Sequence, residues 1–166
     1  MSAARGNMRL TLRLASAIVM AAISSYAGPL SFSFTSSLLA AGRGQTVTFG
    51  ATLTNSGATP LFLNSDNVNI AAPLIADDTK FFLNTPPFLA PLQTVTAPIL
   101  DVTVPLAAPF GLYAGTFDVL GGATPSDLAT LASQPFAVSV VPEPGTLGLV
   151  AGALLLWSKF RPARYV

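Results

Sequence analysis

Neither cysteine nor histidine occurs anywhere in the 166 residues. Their absence excludes thiol catalysis, disulfide staples, the usual zinc ligand sets and every triad that depends on imidazole. Charge is scarce as well, at 9% of the chain against 51% hydrophobic residues. Bases are nearly missing from the interior: between Gly28 and Val140 only Arg43 and Lys80 stand against Asp66, Asp77, Asp78, Asp101, Asp118 and Asp127, a net charge of −4. A body of that balance repels phosphate and has no basic stripe, so nucleic acid is not an expected partner. There is no Gly-x-Ser-x-Gly elbow, no Asp-Thr-Gly or Asp-Ser-Gly triplet and no phosphate-cradling glycine loop; Gly121-Gly122 fits a hairpin end instead. Asp66 with Asp77-Asp78 lacks the Asp-x-Asp-x-Asp-Gly spacing of a calcium loop and reads as solvated. The expectation is a protein without catalytic residues, cofactor or metal.

The bases that the interior lacks collect at the two ends. Arg5, Arg9 and Arg13 lead into an apolar run, LASAIVMAAI, from Leu14 to Ile23, followed by SSYAG. Ten residues are too few to span a bilayer, which takes ~20. The order of base, apolar run and small-x-small site is that of a secretory signal peptide over residues 1–27, cut between Ala27 and Gly28. A buried core helix is the alternative, and the three arginines with no acid before Asp66 speak against it. The reading is the same if translation starts at Met8.

At the far end the chain runs VPEPGTLGLVAGALLLWSKFRPARYV. Gly145 to Phe160 as a helix reaches ~24 Å at 1.5 Å per residue. The shortfall against a ~30 Å hydrocarbon core is met by local thinning and by snorkelling of Lys159 and Arg161, with Trp157 at the interface. Lys159, Arg161 and Arg164 follow this transmembrane helix, so the positive-inside rule puts Val166 in the cytoplasm and the body of the chain outside. Gly148 and Gly152 form a Gly-x-x-x-Gly face that admits a close helix, either a second copy or the groove of another membrane protein. Pro142-Glu143-Pro144 cannot join the helix and stands extended and water-facing above the membrane.

This combination, a Pro-Glu-Pro triplet, a short glycine-containing apolar helix and a terminal basic cluster over residues 141–166, closely resembles the PEP-CTERM sorting signal of Gram-negative bacteria. The resemblance implies a membrane sorting enzyme of the exosortase type as partner, reading Pro142, Glu143 and Pro144. It implies an inner-membrane precursor, delivered by the secretion machinery and then released to the envelope or an exopolysaccharide matrix. The same tail is sometimes labelled after ice-binding proteins that carry it, which is no reason to expect ice binding.

Residues 28–140 alternate. Val47, Phe49, Ala51 and Leu53 oppose Thr46, Thr48, Thr52 and Thr54; Leu100, Val102 and Val104 oppose Asp101 and Thr103; Tyr113, Gly115, Phe117 and Val119 oppose Ala114, Thr116 and Asp118. Phe136, Val138 and Val140 close the domain. With Leu30–Leu39, Thr59–Ile70 and TKFFLN (Thr79–Asn84) also read as extended, about seven strands result, with a helical turn at most over Ser126–Ala132 and a bend or edge at Pro98. The expected fold is all-β, an antiparallel sandwich flanked by the signal helix and the transmembrane helix. Pro-x-Gly-x-Tyr-x-Gly-x-Phe from Pro109 to Phe117, with LTNSG, resembles immunoglobulin-like bacterial surface domains; Tyr113 would be a tyrosine corner, its hydroxyl on nearby backbone. Gln45-Thr46-Val47-Thr48 recurs as Gln93-Thr94-Val95-Thr96, too little for a solenoid. A structural or adhesive envelope module is the leading function; a carbohydrate- or small-ligand-binding module is the alternative, for which exposed aromatics would be the mark.

Overall fold

A computed structural model describes residues 28–142. Nine strands and one short helix follow in the order β1 Leu30–Phe34, β2 Leu38–Ala41, β3 Thr46–Asn55, β4 Leu61–Ile70, β5 Ile75–Asp77, α1 Thr79–Asn84, β6 Phe88–Leu89, β7 Thr94–Thr103, β8 Gly111–Gly122 and β9 Ala129–Val140. They form two sheets, β1-β3-β7-β5 and β2-β9-β8-β4-β6, so the expected all-β sandwich is present. The stretches expected to be a signal peptide, residues 1–27, and a transmembrane helix, residues 145–160, lie outside the described residues.

Three expectations are corrected. Leu30–Leu39 is not one strand: the chain changes sheets at Thr35-Ser36-Ser37, so β1 pairs with β3 while β2 runs parallel to β9. Backbone bonds hold the crossover on both sides, Thr35 N–H donating to Gly50 O at 2.8 Å and Ala137 N–H to Ser37 O at 2.8 Å. The sandwich is therefore not wholly antiparallel. Thr79–Asn84 is a helix and not a strand. Thr79 N–H donates to the Asp77 carboxylate at 3.0 Å, and Thr85 N–H closes the last turn on Phe81 O at 3.1 Å. Of its apolar residues only Phe81 is buried, and six residues are too few for either period to declare itself. Ser126–Ala132, finally, is mostly strand, because β9 already begins at Ala129.

The core forms where the expected inward faces meet. Phe49, Leu53, Leu100, Val102, Val104, Phe117, Val119 and Val138 are fully buried. Aromatic rings fill the space between sheets, with Phe49 and Phe136 centroids 5.0 Å apart, Phe34 and Phe49 5.5 Å, and Phe81 and Phe117 5.7 Å, in tilted or edge-to-face geometry. Each such side chain contributes about 1.5–3 kcal/mol on burial. The Tyr113 hydroxyl donates to Pro109 O at 2.9 Å, the expected corner.

Bulges adjust the phase of three strands. Phe49 faces Leu100 and Gly50 faces Pro98, so Ile99 is an extra residue and both Ile99 and Leu100 turn inward. Pro98 sits at this bulge, on the stretch of β7 that β5 does not reach. In β4 the extra residue is Asn64, whose amide donates to Thr124 O at 2.9 Å and Asp127 O at 2.8 Å, tying down the β8–β9 loop. In β9 it is Leu131, between the Val119–Ala132 and Leu120–Thr130 pairs.

Candidate functional site

The Pro142-Glu143-Pro144 triplet begins where strand pairing stops. β9 is flanked by β2 and β8 up to Val140, one more bond runs from Val141 N–H to Ala41 O at 3.0 Å, and then Pro142 has no N–H to extend the ladder and is exposed. No flexible linker separates sandwich from triplet. Glu143, Pro144, Gly148, Gly152, Lys159, Arg161 and Arg164 lie outside the described residues, as does Ala27. Among the described residues no helix is long and apolar enough to cross a membrane. Gly28, the first of them, packs against β9, and a Cβ there would stand 2.8 Å from Leu131 O.

The repeated Gln-Thr-Val-Thr has a structural cause. Gln45 Oε1 accepts from Gly42 N–H at 2.7 Å and Gln93 Oε1 from Ala90 N–H at 2.8 Å, so each copy closes the same turn and launches a strand. The two strands, β3 and β7, pair antiparallel, which sets the threonines of one copy against the far end of the other strand. Hydroxyl pairs result: Thr46 with Thr103 at 2.8 Å, Thr52 with Thr96 and Thr54 with Thr94 at 2.9 Å. Sequence reading found a threonine stripe on one strand; the face is a two-strand array, flanked by Ser31 and Ser33 opposite Thr54 and Thr52. Its hydroxyls satisfy one another across the ladder, a cross-strand pairing that stabilises the sheet. The face continues through Thr48 Oγ1, which donates to Asp101 at 2.6 Å, and Lys80, which pairs with Asp101 at 2.8 Å.

On the other sheet Phe62 and Phe88 stand 5.7 Å apart and, with Thr59, Pro60 and Ala123, line an open cleft of about 450 Å³. Its walls carry no charge. Such a cleft can hold a flat apolar group against two rings and offers no acid, base or nucleophile. Most other phenylalanines face inward as expected, but Phe82, Phe88 and Phe110 are exposed.

No protein family's profile matches the chain, and no curated protein does. Solved structures do. A structure of native alpha-2-macroglobulin from Escherichia coli, spanning domain MG7 to the C-terminus, aligns at a TM-score of 0.48 with 19% identity, over 69% of this chain and 17% of that one. The PapD-like domain 7 of human CEP192 aligns at 0.43 with 14% identity, over 82% of this chain and 99% of that one. At that identity these are likenesses of fold.

One acid does not lie where sequence reading put it. The bulge at Asn64 brings Asp66 opposite Val119, on the inner side of β4, with one carboxylate oxygen buried and without a hydrogen-bond partner. Burial first, then the charge of Asp78 and a hydrogen bond with it, push the Asp66 carboxyl up to about 7. Asp66 and Asp78 therefore form a close pair, while hydrogen bonds from Thr79 hold the exposed Asp77 below the usual range. Among the described residues no three acids gather as a metal cluster.

The pair gives a pH dependence of defined sign. An unfolded aspartate titrates near ~3.9, so between there and about 7 the folded chain holds more protons, and stability falls as pH rises through that window. Asp66→Asn should remove the slope and stabilise residues 28–142 above pH ~7 by about 1–2 kcal/mol, a figure discounted for the half-exposed site. Urea midpoints of both proteins at acidic and neutral pH measure it. Parallel curves for the two would show that Asp66 ionises normally.

Proposed function

We propose that this protein is an exported, non-enzymatic envelope or matrix protein, held in the inner membrane by its C-terminal helix until an exosortase-type enzyme reads Pro142-Glu143-Pro144 and removes the tail. The observation that carries the reading is the order of the last 26 residues, Pro-Glu-Pro, then an apolar run, then Lys159, Arg161 and Arg164, behind a body that begins after a signal-like segment. The abrupt end of β9 supports it. With Val141 N–H bonded to Ala41 O and Pro142 exposed and lacking an N–H, strand pairing ends where the triplet starts, as a segment left for a processing enzyme requires. The sandwich is the cargo. Its paired hydroxyl face and uncharged cleft suit a structural module better than a catalyst.

The test replaces Pro142-Glu143-Pro144 with three alanines in a host that owns such an enzyme. Export and insertion depend on the untouched signal and helix, so they should persist while release fails. The variant should collect in the inner-membrane fraction at unprocessed length, whereas the natural chain appears shortened in the outer envelope or medium. Equal release of both proteins would reduce the triplet to a spacer and overturn the proposal.

A further inference from the structure

We infer that the end of the sandwich from which the tail departs rests on the surface of the lipid bilayer. Three stretches far apart in sequence meet at that end. The turn at residues 42–45 follows β2, whose Ala41 is opposite Val140; the loop at residues 105–110 leads into β8, whose Gly111 is also opposite Val140; and Val141-Pro142 leaves β9 between them. They are fastened to one another. Gly44 N–H donates to Val104 O at 2.8 Å and Val104 N–H to Gln45 O at 2.9 Å, while the Arg43 guanidinium donates through Nε to Ala108 O at 2.7 Å and lies 4.1 Å above the Phe110 ring. Gly44, at φ +77°, leaves the room that Leu106 fills, since a Cβ there would come within 2.9 Å of Leu106 Cδ2.

What this rigid end presents is apolar. Leu106 is 78% exposed, Leu112 68%, Phe110 51% and Val141 38%. Loops at a domain end are ordinarily polar, yet residues 42–45 and 105–112 contain no acid, and the one charge among them is Arg43. The body's other base, Lys80, is already paired with Asp101. Exposed leucines and an aromatic ring around a single cation match the headgroup boundary of a bilayer, where the apolar groups enter and the cation meets anionic headgroups. Distance fits too. If residues 145–160 cross the membrane, the reading on which this inference rests, only Val141 to Pro144 separate β9 from the helix, and four extended residues reach at most ~14 Å. The end loops are then held against the lipid surface. Docking would fix the height of Pro142-Glu143-Pro144 above the membrane, where a membrane enzyme's active site must find it.

The natural chain has no cysteine, so single labels are site-specific. Full-length protein carrying Leu106→Cys, Leu112→Cys, Ser126→Cys or Ala151→Cys, each labelled with an environment-sensitive fluorophore, is reconstituted in phosphatidylcholine vesicles containing phosphatidylglycerol, with and without nitroxide-labelled lipid. Ser126 lies in the β8–β9 loop at the opposite end of the sandwich. Labels at 106, 112 and 151 should lose at least about half their emission to the nitroxide, and the label at 126 should lose almost none. Quenching at 151 but not at 106 or 112 overturns the docking while the membrane reading of the tail stands. Absence of quenching at 151 overturns both.

Discussion

Gly121→Ala should destabilise residues 28–142 by about 3 kcal/mol, although it adds one methyl group. β8 runs between β4 and β9, so Gly121 has Leu63 on one side and Ala129 on the other. A Cβ at this position would collide with the carbonyl oxygen of Phe62, a backbone atom, and would meet Leu131 Cδ1 at 3.0 Å. β4 has little freedom to withdraw. Leu61 and Leu63 are buried on either side of Phe62, and Leu63 N–H donates to Pro87 O at 2.9 Å. Relief would therefore mean moving a strand whose neighbours are fixed, and overpacking without relief is among the larger single-residue effects. Gly50→Ala is the control, because its nearest obstacle is the Thr35 hydroxyl at 3.3 Å, the end of a side chain that can turn. Urea denaturation of the two variants should separate them clearly, and equal midpoints would show that β8 is not confined as described.

Phe117→Ala should cost about 3–5 kcal/mol. The ring has no exposed surface and touches both sheets and the helix, with centroids 5.8 Å from Phe32, 6.3 Å from Phe34 and 5.7 Å from Phe81. Truncation removes the transfer energy of the ring and leaves a hole that β1 and α1 cannot both close. Phe88→Ala, at a ring 45% exposed beside the open cleft, should lose far less. Thermal and urea melts followed by far-UV circular dichroism measure both, and a near-neutral Phe117→Ala would place that side chain outside the core. For a domain of ordinary stability, about 5–15 kcal/mol, such a loss consumes a large fraction of the whole.

Alternation alone determined much of this protein. A period of two is local, so the inward faces of β3, β7, β8 and β9, from Phe49 and Leu53 to Phe117 and Val138, were legible residue by residue, and with them the all-β class. The Tyr113 corner was legible for the same reason, its partner Pro109 being four residues away. Even the bulges left a trace, since Leu61 and Leu63 are odd-numbered while Val68 and Ile70 are even, and a strand that keeps one face buried can change parity only by an extra residue. That trace places Asp66 on the inner face. Which sheet a strand joins is not local. The exchange of sheets between β1 and β2, the parallel β2–β9 pair and the threonine pairs between β3 and β7 depend on bonds between residues some 15 to 100 positions apart, and nothing within either strand encodes its partner. The helix at Thr79–Asn84 was decided by Phe81 finding Phe117, a contact that overrode an ambiguous six-residue pattern. The apolar end around Leu106 and Phe110 exists only because three distant turns close on one another, and so it too belongs to the tertiary structure.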